Sequence, residues 1–229
     1  MPVFLTGVDI MALRRKIPRH VGRWQHLVVA LGVGVALLGH AWAGDAALAA
    51  GDDLTTGAQL AAKHCASCHG LNGQGVTPDF PNLAGQNEKY LAKQLRDFAS
   101  GQRDSTVMDM KAAVLSECSI RAVSRYYQSQ APKTTPAKDP MLASAGAFVY
   151  ERGNPYSGLP ACVSCHGTGA RGQAELPRLA GQNPLYLERQ LKKFVDRSRV
   201  DQAGIMNVVA SRMSEVEMKS VVEHLGAMK

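Results

Sequence analysis

Apolar residues between positions 54 and 229 recur at helical spacing, and no stretch alternates apolar and polar residues between hairpin turns. Leu91, Leu95 and Phe98, four and three apart, give one apolar face to a helix beginning near Glu88. A counterpart begins near Leu185. Towards the C-terminus, Met218, Val221, Val222 and Leu225 form an i, i+3, i+4, i+7 stripe. Ser214 precedes it, three residues before Glu217, which is the spacing of a capping box. Ser116 is the matching N-cap earlier in the chain. Two further helices are expected over about 57–64 and 143–152. The pattern predicts an all-α protein with long irregular connections.

The chain repeats itself. The block Pro81, Asn82, Leu83, Ala84, Gly85, Gln86, Asn87 returns as Pro177, Arg178, Leu179, Ala180, Gly181, Gln182, Asn183, an offset of 96. Tyr90, Leu91, Gln94 and Leu95 return as Tyr186, Leu187, Gln190 and Leu191 at the same offset. Such register predicts a duplicated domain, with one copy over 44–130 and the other over 141–229. Residues 131–140 contain Pro132, Pro136 and Pro140, lack helical periodicity, and read as the linker. Residues 153–160 have no counterpart in the first half. This extra loop reads as surface decoration, with partner contact as the alternative.

The chemistry sits in two pentads: Cys65, Ala66, Ser67, Cys68, His69 and Cys162, Val163, Ser164, Cys165, His166. Cys-x-x-Cys-His is the attachment signature of a c-type haem, with two thioethers to the porphyrin and the His on iron. A zinc knuckle or a redox dithiol would leave the following His unexplained twice over. Two small domains also have little apolar interior of their own, and a covalent haem in each supplies core.

Residues 1–43 read as a secretory leader. Arg14, Arg15, Lys16, Arg19 and Arg23 are followed by an apolar run from Leu27 to Gly39 and by Ala41, Trp42, Ala43, after which cleavage is expected. Retention as an anchor is the competing reading. Arg14 and Arg15 superficially suggest a twin-arginine signal, but haem attachment to free thiols favours export before folding. The net charge of +7 belongs largely to this leader, and the basic residues beyond it are dispersed among few aromatics. That excludes a nucleic-acid partner.

A haem iron in an electron carrier needs a second axial ligand. Beyond the leader the only histidines are His64, His69, His166 and His224. His64 is tethered beside Cys65 on the attachment side, and His224 reads as a helix-surface residue. Methionine sulfur is the natural alternative, and it raises the potential. Met108 and Met206 stand seven residues before Leu115 and Met213, in segments that read as irregular; Met110 is the alternative to Met108. Met213 and Met218 match apolar helix positions and read as core. Pro81 and Pro177 follow the two haem histidines by 12 and 11 residues, so each Pro carbonyl is a candidate acceptor for the imidazole's other nitrogen.

With these residues in hand, the chain resembles the cytochrome c4 family of dihaem class I cytochromes c over residues 54–229. The resemblance rests on the paired haem motifs, the repeated blocks and the placing of Met108 and Met206. It implies two haem c groups attached at Cys65, Cys68, Cys162 and Cys165, with His69, His166, Met108 and Met206 on the irons. Pro81 and Pro177 would be the carbonyl acceptors. It further implies two tandem domains about a pseudo-twofold axis, with haem propionates facing each other across the interface. A periplasmic carrier between a quinol-oxidising complex and a terminal oxidase or reductase follows, with peripheral membrane association left open. Cys118, at a helix start, departs from the family pattern, and Met11 is an alternative start for the long leader.

The mechanism expected is outer-sphere electron transfer without substrate binding, hence no enzyme. Two alternatives remain: the cytochrome subunit of a larger dehydrogenase such as a flavocytochrome, and a dihaem peroxidase, which would need one iron to open a coordination site. Residues 44–130 carry eight Lys and Arg against nine acids, and 141–229 carry eleven against eight. The second half is therefore expected to prefer acidic partners, more weakly as salt rises.

Overall fold

The computed structural model describes residues 53–201 and 203–229; the leader expected over 1–43 and its cleavage after Ala43 lie outside them. The described chain is helical, and its only β-bridges are two isolated ones within loops. Among the described residues no helix is long and apolar enough to cross a membrane.

In the first half α1 (Asp53–Leu60) runs through a π-helical turn (Ala61–Cys65) into the one-turn α2 (Ala66–His69). Then come α3 (Glu88–Ala99), α4 (Met108–Ala113) and α5 (Glu117–Ser129). The second half repeats the order: α6 (Pro140–Arg152), α7 (Val163–His166), α8 (Pro184–Val195), α9 (Ile205–Ala210) and α10 (Glu215–Ala227). In each half the first and last helices pack together, α1 on α5 and α6 on α10. Glycine makes that approach possible. A Cβ on Gly57 would overlap the carbonyl oxygen of Ala122, and one on Gly146 that of Ser220.

Helix ends follow local polar chemistry. Ser214 and Glu217 form both bonds of the capping box, and Ser116 accepts from the Ser119 amide. Asp139 caps α6 by accepting from the amides of Met141 and Leu142, and Pro140 occupies its first turn. The helix therefore starts within the expected linker. Residues 131–138 are not a loose tether either: the Thr135 amide donates to the Gly226 carbonyl and the Lys138 amide to Glu223.

The first-half core gathers Ala61, Leu91, Val123 and Tyr127. The second gathers Val149, Tyr150, Leu159, Leu187, Val221, Val222 and Leu225 among others. Leu159 corrects the reading of residues 153–160 as decoration. It is buried in that core, Asn154 and Leu159 pair through both backbone bonds, and Asn154 donates to Glu217 at 2.8 Å.

Candidate functional site

Each pentad folds as one helical turn closed by a glycine at positive φ, Gly70 at 71° and Gly167 at 76°. A turn of helix sets the paired thiols three apart on one side, with the imidazole following directly. Cys65, Cys68 and Cys162 are half-buried and Cys165 is exposed, whereas His69 and His166 are buried. Each imidazole is fixed: His69 Nδ1 lies 3.1 Å from the Pro81 carbonyl and His166 Nδ1 3.2 Å from that of Pro177. A carbonyl only accepts, so Nδ1 carries the proton and Nε2 keeps its lone pair.

The electrostatics agree with that tautomer. Burial lowers the pKa of both histidines, against the smaller opposing pull of the Pro carbonyls, and so keeps neutral imidazole, the form that binds metal. Burial pushes the Cys65 thiol up and that of Cys162 up to about 11. Reactive dithiols need the opposite shift. Among the described residues no three His, Cys, Asp or Glu side chains converge. Two thiols on one helical turn and the imidazole that follows them are the set a covalent haem takes.

Met108 and Met206 do not lie in irregular chain. Met108 is the first residue of the short helix α4 and Met206 the second of α9, and the first turn of each is capped by polar side chains a few residues upstream. The Met108 amide donates to Ser105 Oγ at 3.2 Å and the Met206 amide to Asp201 Oδ1 at 3.0 Å. Both side chains are half-buried, while Met110 is 69% exposed. Met218 is buried and Met213 packs against the second core, so both serve packing. His224 is not a free surface residue: its ring lies 6.0 Å from that of Tyr150 on α6. The residues able to hold a haem in each half are thus two thiols, an imidazole with free Nε2 and a half-buried thioether.

The residues joining the two halves went unread in the sequence. Gln86 accepts from the Arg178 amide at 2.7 Å and donates to the Arg178 carbonyl at 2.9 Å. Gln182 does the same to Asn82, at 2.7 and 2.8 Å. Gln182 and Arg178 are the repeat equivalents of Gln86 and Asn82, so the contact is reciprocal about a pseudo-twofold axis. A second reciprocal set contains Tyr90, Gln94 and Arg103 with Tyr186, Gln190 and Arg199. The available signal was polar identity within the repeated blocks: a duplicated fold retains core positions, but polar residues repeated in register need a shared contact.

Comparison with known proteins gives a consistent picture. The cytochrome c family profile matches residues 54–126 and 143–229. The thiosulfate dehydrogenase electron acceptor of Thiomonas intermedia is 42% identical over 171 residues, covering 72% of this chain and 79% of that one. Cytochrome c4 of Thiocapsa roseopersicina is 40% identical over 165 residues, covering 70% and 85%. The crystal structure of reduced recombinant cytochrome c4 from Pseudomonas stutzeri superposes with a TM-score of 0.72 at 31% identity, covering 79% of this chain and all of that one.

Proposed function

Because the chain belongs to the cytochrome c4 family of dihaem c-type electron carriers, we propose a specific ligand set and a place for it between redox proteins. Cys65 and Cys68 attach one haem and Cys162 and Cys165 the other. His69 with Met108, and His166 with Met206, complete the irons, and the carbonyls of Pro81 and Pro177 orient the imidazoles. The matched Nδ1-to-carbonyl bonds of 3.1 and 3.2 Å carry this reading, because they leave each Nε2 free in the same way. When bound, a haem supplies a reversible one-electron iron couple. The protein holds each imidazole fixed, buried and neutral, and sets a half-buried thioether in the same half that would hold the iron with it. The domains are residues 44–130 and 141–229, joined by 131–140.

The assignment is tested on the exported protein by haem content and reduced and oxidised spectra. Two haems per chain are expected, with sulfur–iron absorption at the red end of the oxidised spectrum. Met108→Ala and Met206→Ala should each remove about half of that absorption, and an unchanged spectrum would defeat the ligand set. Ready carbon monoxide binding by the reduced wild type would instead favour a peroxidase.

The carrier works in the periplasm, with the leader removed after Ala43 or kept as an anchor. It takes electrons from a quinol-oxidising complex and delivers them to a terminal oxidase or reductase. The 42% identity to a thiosulfate dehydrogenase electron acceptor favours a second reading of the donor, a dehydrogenase of that kind. Stopped-flow reduction by each purified donor separates the two. With an acidic partner docking on the second half, the rate should fall as salt rises.

A further inference from the structure

Where the halves meet, two arginines share hydrogen-bond partners that are all neutral. Arg103 lies over the ring of Phe98, with 4.6 Å from guanidinium carbon to ring centre, and Arg199 lies over Phe194 at the same distance. Arg103 Nη1 donates to Gln94 of its own half, while Nη2 crosses to Tyr186 Oη at 3.0 Å and Gln190 at 3.1 Å. Arg199 mirrors this. Its Nη1 donates to Gln190 at 2.8 Å, and its Nη2 crosses to Tyr90 Oη at 3.1 Å and Gln94 at 3.0 Å. The two guanidiniums therefore share both glutamine carbonyl oxygens.

Both side chains are half-buried, and among the described residues neither has a carboxylate within ion-pair distance. The Asp97 carboxylate is held by Lys93 at 2.6 Å and by the Gln94 amide at 3.0 Å; its carbonyl accepts from the Arg103 amide at 3.0 Å, and its charge reaches Arg103 from beyond ion-pair distance. Two like charges sharing neutral acceptors and half out of water are unfavourable unless anions compensate them. Arginine's planar fork is suited to carboxylates. Resting on the proposed function, each haem brings two propionate carboxylates into its half.

We propose that Arg103 and Arg199 form a shared carboxylate site that takes propionates from both haems and couples the two iron potentials. Each guanidinium is anchored by residues of both halves, so its charge acts on both irons rather than on its own alone. Removing either charge favours the oxidised state at both.

The test is a spectropotentiometric titration of the exported dihaem protein and its Arg103→Gln and Arg199→Gln variants. Haem content is measured in parallel, and the shifted haem-methyl signals in NMR report each haem separately. Each single variant should keep two haems and lower both midpoints. At fixed ambient potential, the reduced-to-oxidised ratio of each haem should fall about threefold to tenfold, the scale of one unit charge acting through partly wet protein. Arg103→Lys and Arg199→Lys should restore most of the shift. If the glutamine variants fail to mature, Tyr90→Phe and Tyr186→Phe, which free one donor across the interface, should lower both midpoints by less. A shift confined to one haem overturns the inference, as does a loss of thermal stability with both midpoints unchanged. Fewer than two haems in the wild type would instead defeat the proposed function.

Discussion

Tyr127 and Tyr150 are both buried beside a haem-motif cysteine, yet their hydroxyls are treated differently. Tyr150 donates to the Gly167 carbonyl at 2.6 Å, tying α6 to the glycine that closes its haem motif. The Tyr127 hydroxyl is buried with only the Cys65 sulfur, a weak partner, beside it. Losing a strong buried bond leaves an acceptor stranded, whereas removing a hydroxyl with only a weak sulfur partner costs little. Tyr150→Phe should therefore lose about 1–2 kcal/mol in urea unfolding of the haem-loaded protein, and Tyr127→Phe should be close to neutral. Equal losses at both would contradict that difference. No sequence pattern separates the two, because the distinction lies in what stands opposite each ring.

Among elements, the terminal helices are the most specified. Burial alone would raise the Glu217 carboxyl, but bonds from the Ser214 amide and the Asn154 side chain outweigh it and hold its pKa below the ordinary glutamate value. Such a group stabilises the fold fully above its unfolded pKa, and that contribution disappears as pH falls through the folded value. Ser214→Ala should cost about 1 kcal/mol. Glu217→Gln should flatten the acid side of the stability–pH curve, and a curve as steep as the wild type's would exclude the capping role. Gly146→Ala places a methyl against the Ser220 carbonyl and should cost about 1–3 kcal/mol by forcing α6 from α10. At α3 and α8 the repeats diverge for a tertiary reason. Asn183 caps α8 with its side chain, whereas Asn87 spends its amide across the interface on the Leu176 and Arg171 carbonyls. Gln128 then accepts from the Glu88 amide in its place, at 2.7 Å.

At the scale of the whole molecule, the two halves meet as an isologous pair within one chain, with Gln86 and Gln182 as matching clamps. Gln86→Ala or Gln182→Ala strands a backbone amide and carbonyl and should cost about 1–3 kcal/mol. The double variant should split a single calorimetric transition of the haem-loaded protein into two; one unsplit transition would locate the coupling elsewhere. The sequence by itself determined the helical class, the duplication, the haem motifs and the capped helix starts, because periodicity, covalent chemistry and capping act over a few residues. Only the tertiary structure decided that Leu159 is core, that His224 meets Tyr150, and that Arg103 and Arg199 share partners. Each of those depends on what distant chain brings alongside, and a side chain's partner across nearly a hundred residues leaves no trace in its immediate neighbours.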